Sequence, residues 1–173
     1  MITVSLCMIV KNEEDTIGRC LDSVKDIIDE FIIVDTGSSD NTKNIIKKHI
    51  NNVYDFKWID DFSAARNFAF SKATKDYIFW LDADDVLLPE DVEKFKSLKK
   101  NLDPSIDSVT MKYNIGFDEY GNVTTSYRRN RLVKREKNFK WIGFVHEYLE
   151  VYGNIINSEI SVTHKKMNYS PNR

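Results

Sequence analysis

The sequence predicts an α/β fold: a Rossmann-like, mostly parallel sheet with helices on both faces, followed by a β-rich second half. Three observations lead there. In the first half, short continuous apolar runs alternate with amphipathic segments, the rhythm of strand–helix units whose parallel sheet is covered on both sides. Three of those runs end in acidic residues, and in open α/β sheets ligands bind at the carboxyl ends of the strands. After Pro104 the text changes to alternating extended runs around turn residues.

Taken in order, "VSLCMIV" is a buried strand and "EEDTIGRCLDSVKD" a helix, with Ile17, Leu21 and Val24 at helical spacing. "FIIV" is the second strand. "SDNTKNIIKKH" is a capped helix whose buried face uses Ile45, Ile46 and His49, with Ser39 and Asp40 as helix-start residues. "FSAARNFAFSKA" is a third helix and "DYIFWL" a third long strand. "PEDVEKFKSLKK" is a helix with Pro89 at its first position and Glu90 and Asp91 in its first turn. "SVTMKYNIGFDEYGNVTTSYRRNRLVK" forms a hairpin turning at Tyr120, Gly121 and Asn122. "EISVTHKK" is a strand that puts Ile160, Val162 and His164 on one face.

The totals bound the function. A chain of 173 residues supports one well-cored domain, burying roughly 70% of the surface its unfolded chain exposes. The expectation is a single unit over 1–173, with a nucleotide-binding half at 1–103 and an acceptor-side half at 104–173, cut from a longer protein at "NYSPNR". Hydrophobic residues at 42% and charged residues at 30% fit a soluble globular protein, and no run reaches the ~20 apolar residues of a membrane helix. The opening "MITVSLCMIV" lacks a basic leader and cleavage site, so a cytoplasmic location is expected. Cys7 and Cys20 read as free, buried thiols. A net charge of −2 argues against nucleic-acid binding. "YRRNRLVKREKNFK" reads as a solvated strand face, with a patch for an anionic partner as the alternative.

The chemistry lies at the strand ends. The first offers Lys11, Asn12, Glu13 and Glu14, the second Asp35 and Thr36, and the third runs into Asp82, Ala83, Asp84 and Asp85. Such a cluster of carboxylates favours a cation, and oxygen donors suit Mg²⁺ or Mn²⁺, completed by phosphate oxygens. No GxGxxG or GxxxxGK[ST] is present, which disfavours a dinucleotide site and an ordinary P-loop. Phosphate charge then falls to the metal, Arg66 and Lys11. "DTGS" at Asp35 is the tetrad of aspartic proteases, but here it follows a strand and introduces a helix. Asp35 is better suited to accept hydrogen bonds from a ribose or base.

"VSLCMIVKNEED", "FIIVDTGSSDNT", "DDFSAARNFAF" and "YIFWLDADD", in this order and spacing, resemble family 2 glycosyltransferases of the GT-A fold. "RLVKREKNFKWIGFVHEYLE" resembles the "VHE" segment of the bacterial branch that includes the sublancin S-glycosyltransferase and related protein and peptide glycosyltransferases. The resemblance implies an inverting transfer from a nucleotide-sugar, most often UDP-linked, with a divalent metal, Mn²⁺ or Mg²⁺. It assigns Val10, Lys11, Glu13 and Asp35 to the uridine, and Asp61 and Arg66 to the base and diphosphate side. Asp82-Ala83-Asp84 becomes the DxD motif, with Asp82 toward the ribose or a metal-bound water and Asp84 on the metal. His164 matches a late-strand histidine at the metal or diphosphate; a satisfied core histidine is the alternative. UDP-glucose and UDP-N-acetylglucosamine are the expected donors, a protein or peptide side chain the acceptor, and a homodimer stays open.

The leaving nucleoside diphosphate gathers charge that a metal at Asp84 stabilises. The acceptor proton needs a base, for which "GFVHEY" supplies Glu147, with His146 in support; extended backbone would point them to opposite faces. Trp141 and Phe144 read as core or pocket wall. Two rivals remain at this level. "IFWLDADDVL" also fits the Asp-x-Asp-x-Val pattern of a haloacid-dehalogenase-type phosphatase, although no second acidic pair follows, and a noncatalytic nucleotide-binding module is the third reading.

Overall fold

The computed structural model describes residues 1–165. The elements are β1 (Val4–Val10), α1 (Ile17–Val24), β2 (Glu30–Asp35), α2 (Thr42–Lys47), β3 (Tyr54–Asp55), α3 (Phe62–Lys72), β4 (Tyr77–Trp80), β5 (Asp85–Val86), α4 (Pro89–Asn101), β6 (Ser108–Phe117), β7 (Val123–Lys134), β8 (Lys140–Ile142), β9 (Tyr148–Glu150) and β10 (Ile155–His164). Eight strands form one sheet in the order β3-β2-β1-β4-β7-β6-β10-β5, and β8 pairs with β9 apart from it. β3, β2, β1 and β4 run parallel, and β7 joins β4 antiparallel.

β1 is apolar throughout because both faces of the sheet are covered. Leu6 and Met8 pack on one side with Ile17, Leu21 and Val24 of α1 and Phe95 of α4. Cys7 faces the other way, into a smaller cluster with Ala69 and Ala73 beside α3. Each fully buried leucine or isoleucine here contributes roughly 1.5–3 kcal/mol. The two cysteines are free and buried, as the sequence implies. α2 ends at Lys47, which corrects the expected placement of His49. Its ring lies beyond the helix, bonded to the Ile45 carbonyl at 3.1 Å and Asp22 Oδ1 at 3.0 Å, and the residue is exposed rather than buried.

The second half extends the same sheet. β6 and β7 form the expected hairpin, whose turn contains Gly121 at φ +84° and is held by Asp118 Oδ1, which accepts the Tyr120 and Asn122 amides at 2.9 and 2.8 Å. β10 runs parallel to β6, and at its end Thr163 pairs with Val86 and His164 with Asp85. That register delivers His164 to the acidic end of "IFWLDADD". The closing "NYSPNR" lies outside the described residues. No helix among the described residues is long and apolar enough to cross a membrane.

The basic run after Tyr127 divides. Tyr127, Arg128 and Arg129 are exposed, whereas Arg131 is 0% exposed, which corrects the solvated-face reading at that position. Its guanidinium lies 3.9 Å from the centroid of Trp80 and 4.5 Å from that of Tyr113, donates to the Trp80 carbonyl at 3.2 Å, and stands 3.6 Å from Asp85 Oδ2. A buried charge persists only when paired and hydrogen-bonded, because losing its water is costly; here the pairing is with a carboxylate beneath the strand ends.

Candidate active site

The carboxyl ends of β1, β2 and β4 open on one cleft of about 530 Å³. One wall is Val10, Lys11, Glu13 and Thr36; the other is Arg66, Asp82, Asp84 and His164. The first wall is tied together by the loops after β1 and β2. Asn12 takes the left-handed φ of +52°, donates its amide to Ser38 Oγ at 2.9 Å and accepts the Ser39 amide at 2.8 Å. Asn tolerates that conformation better than most side chains. Thr36 donates its hydroxyl to the Val10 carbonyl at 3.2 Å.

Asp35 closes the end of β2 at 2% exposure. Its Oδ1 accepts the amides of Gly37 and Ser38, each at 2.8 Å, which builds the turn into α2. Its Oδ2 is buried with no hydrogen-bond partner among the described residues. Buried carboxylate oxygens are seldom left so, and an unpaired one calls for a water, an ion or a ligand donor.

At the end of β4 the three aspartates divide their work. Asp82 Oδ1 accepts Arg66 Nη2 at 3.0 Å. Burial pushes the Asp82 carboxyl up, but Arg66 and then Arg131 outweigh it and hold it below the usual range. Asp85, which the sequence did not single out, is fully buried and uses both oxygens: Oδ1 accepts the Tyr113 hydroxyl at 2.7 Å and Oδ2 the Asp82 amide at 2.9 Å. Burial pushes its pKa up against the opposing pull of Arg131. Asp84 keeps its carboxylate toward the cleft, with Oδ1 3.6 Å from His164 Nδ1. Glu13 feels the cluster: burial raises its pKa first, and Asp84, Asp82 and Asp40 add to the rise.

Asp84, Asp85 and His164 lie close enough to hold one ion. Because Asp85 is committed to Tyr113 and the Asp82 amide, and Asp82 to Arg66, the donors left for a metal are Asp84 and His164. One carboxylate and one imidazole, in a cleft with surplus negative charge and room for phosphate oxygens, fit a Mn²⁺- or Mg²⁺-type ion.

Arg66 joins this cleft to a second. Its Nε donates to Glu147 Oε1 at 3.0 Å while Nη2 holds Asp82 at 3.0 Å; burial would lower its pKa, but Asp82 and Glu147 raise it. The guanidinium also stacks 4.7 Å from Trp141 and 5.5 Å from Trp80. The neighbouring hollow of about 360 Å³ shares Arg66 and Asp82 and adds Trp141, Arg129, His146 and Glu147. The loop bearing "GFVHE" is a bend between β8 and β9, not extended. Gly143 turns it at φ +101°, where a Cβ would meet the His146 carbonyl at 3.2 Å. α3 anchors it: Phe62 N–H donates to the Phe144 carbonyl at 3.0 Å, the Ser63 hydroxyl to that of Gly143, and Asn67 exchanges two bonds with the Trp141 backbone. Trp141 is therefore a buried wall, as expected, while Phe144 is 70% exposed and corrected from core. His146 is exposed and Glu147 half-buried.

Eleven site residues were singled out from sequence, and all but Asp35 and Asp61 line the two hollows. Asp35 is buried at the end of β2, next in sequence to the cleft residue Thr36. The Asp61 carboxylate caps α3, accepting the Ala64 amide at 3.1 Å. Asp61→Ala should cost about 1 kcal/mol, the usual value of such a cap, read as a lower thermal midpoint; an unchanged midpoint would deny the cap.

The sequence model described as glycosyl transferase family 2 matches residues 5–152. The SPbeta prophage-derived glycosyltransferase SunS of Bacillus subtilis is 37% identical over 150 residues, covering 84% of this chain and 34% of that protein. A TPR repeat-containing protein of Synechococcus elongatus is 48% identical over 103 residues, 60% of this chain and 25% of that one. The chain thus spans a quarter to a third of the length of these relatives. Among solved structures, glucosyl-3-phosphoglycerate synthase of Mycobacterium tuberculosis, in complex with Mn²⁺ and UDP-glucose, superposes with a TM-score of 0.53 at 22% identity, over 65% of this chain and 44% of that one. The architecture is the GT-A fold.

Proposed function

Because the chain belongs to glycosyl transferase family 2, we propose that it is an inverting, metal-dependent transferase moving a hexose or N-acetylhexosamine from a UDP-sugar to a protein or peptide side chain. The observation that carries the reading is Arg66, 3.0 Å from both Asp82 and Glu147, which ties a carboxylate of the donor cleft to one on the acceptor side. The uridine lies against Val10, Lys11, Glu13 and Thr36, with Asp35 Oδ2 taking a donor from the base or ribose. Asp84 and His164 would hold the divalent ion, which when bound stabilises charge on the departing diphosphate. The unoccupied side of the sugar faces the second hollow. There Glu147 takes the proton of the acceptor hydroxyl or thiol, the nucleophile bonds to the anomeric carbon, and the bond to the UDP oxygen breaks with its electron pair leaving on UDP.

Several facts support this. The solved neighbour of the same fold binds UDP-glucose with Mn²⁺, the "GFVHE" stretch resembles a segment of the peptide-modifying branch, and the family match leaves the phosphatase reading of "IFWLDADDVL" without a claim on the chain. The test is incubation with UDP-glucose or UDP-N-acetylglucosamine, Mn²⁺ and candidate peptides, read by mass spectrometry for one added sugar. A thermal-shift screen picks the donor first, since a ligand at 100 times its Kd stabilises by about 2.7 kcal/mol. Phosphate-ester hydrolysis with no sugar transfer would overturn the reading.

Asp35→Ala tests the nucleoside side separately. Affinity for UDP should fall by about tenfold, the worth of one hydrogen bond to a charged group, while affinity for diphosphate with Mn²⁺ stays within error by calorimetry. Equal losses for both ligands would remove the role.

A further inference from the structure

We propose that Tyr113 is a positioning residue that fixes His164 as the Nδ1–H tautomer, leaving the ring's lone pair on Nε2. The inference rests on the reading above that His164 serves a divalent ion, and it concerns a residue which nothing in the sequence pattern singles out.

The argument follows the hydrogen atoms. The Tyr113 hydroxyl has one proton, and it lies 2.7 Å from Asp85 Oδ1 and 3.0 Å from His164 Nδ1. Asp85 is an acceptor on every side: its Oδ2 receives the Asp82 amide at 2.9 Å and faces the buried Arg131 guanidinium at 3.6 Å. A carboxylate held between those donors can only accept, so the tyrosine proton points to Asp85. The phenol oxygen then has lone pairs alone to offer the imidazole, and the contact to Nδ1 must be N–H···O. The surroundings of Nδ1 agree, because the other atoms near it are carboxylate oxygens, Asp85 Oδ1 at 3.5 Å and Asp84 Oδ1 at 3.6 Å. In neutral imidazole a proton on one nitrogen leaves the lone pair on the other.

The fold fixes this chain in place. His164 stands opposite Asp85 in the β10–β5 pair, Tyr113 lies on the neighbouring β6, and the two rings meet edge to face at 5.9 Å. Arg131, sandwiched between Trp80 and Tyr113, supplies the fixed charge at the far end. The order is Arg131, Asp85, Tyr113, His164, running from the core to the cleft. Outer partners of this kind orient metal-binding imidazoles, and their loss commonly costs 10–100-fold in metal affinity.

Long-range proton–nitrogen NMR of the whole chain, about two pH units above the ordinary imidazole pKa, reads the tautomer without activity or metal. The wild type should show His164 protonated at Nδ1. Tyr113→Phe removes the hydroxyl and keeps the ring, and should move His164 toward the Nε2–H form while weakening Mn²⁺ binding about 10–100-fold by calorimetry. A wild-type His164 protonated at Nε2 overturns the proposal, as does a folded Tyr113→Phe protein with the wild-type tautomer and Mn²⁺ affinity. The wild-type spectrum decides the point even if the variant does not fold. If the wild type is Nδ1–H but Mn²⁺ leaves the His164 resonances untouched, the tyrosine relay stands and the assignment of His164 to the metal falls instead.

Discussion

Asp84→Asn should abolish Mn²⁺-supported binding of UDP and lower donor turnover by about 10²- to 10³-fold, the several kcal/mol that a Lewis acid gives to a leaving phosphate. The change is specific because of how the three aspartates are used. Asp82 is held by Arg66 and Asp85 by Tyr113 and the Asp82 amide, so neither is free to replace the lost ligand. Among the described residues the Asp84 side chain, by contrast, makes only the 3.6 Å approach to His164, and its carbonyl still accepts the Lys165 amide at 2.9 Å. The fold should therefore survive, and the thermal midpoint without metal should stay near that of the wild type. Calorimetry of UDP with and without Mn²⁺ checks the result. Equal affinity of wild type and variant in Mn²⁺ would sink the metal assignment.

Legibility followed periodicity and burial. The three long strands and four helices of the first half were readable because apolar runs bounded by caps and prolines carry their own boundaries, as α4 does with Pro89, whereas the two-residue β3 and β5 are too short to show a pattern. The strand-end carboxylates were readable because a parallel sheet brings such ends to one rim. What the sequence hid was long-range pairing. Nothing local says that β10 returns between β6 and β5, so that His164 meets Asp85; before that pairing only the family resemblance pointed to this histidine. Arg131 was hidden for a related reason. In "YRRNRLVK" the two preceding arginines are exposed, and only the packing of Trp80 and Tyr113 over the Arg131 guanidinium shows it to be core. His49 and Phe144 failed in the other direction, since a helix one turn shorter and a glycine-turned loop moved both outward.

Arg66 gives the two hollows a common electrostatic hinge. It is the larger of the cationic influences that keep Asp82 below the usual carboxylate range, and it also bonds Glu147. In the proposed reaction the diphosphate oxygens would compete for the same guanidinium, coupling donor binding to Glu147 through one side chain. A variant at position 147 that still offers Arg66 Nε an acceptor leaves that coupling in place, and should change transfer through the acceptor proton with little effect on how the donor is held.

Glu147→Gln is the sharpest form of that expectation. Glutamine keeps the length of the side chain, and its amide oxygen can still accept Arg66 Nε in place of the carboxylate oxygen now 3.0 Å away, so the loop between β8 and β9 should remain where Asn67 and Ser63 anchor it. Basicity is what disappears. Metal-dependent binding of the UDP-sugar should persist while transfer falls by about 10²- to 10⁴-fold, the usual worth of positioned proton transfer. The size of the loss should depend on the nucleophile. A serine hydroxyl holds its proton far above neutral pH and needs the base throughout, whereas a thiol ionises near pH 8.5 and attacks as thiolate with less help. Peptides differing only in cysteine or serine at the acceptor position, followed by mass spectrometry, should show the smaller defect for cysteine. Undiminished transfer by Glu147→Gln on the serine peptide would remove Glu147 as the base, and sugar appearing only on glycan or lipid acceptors would remove the polypeptide while leaving the transferase intact.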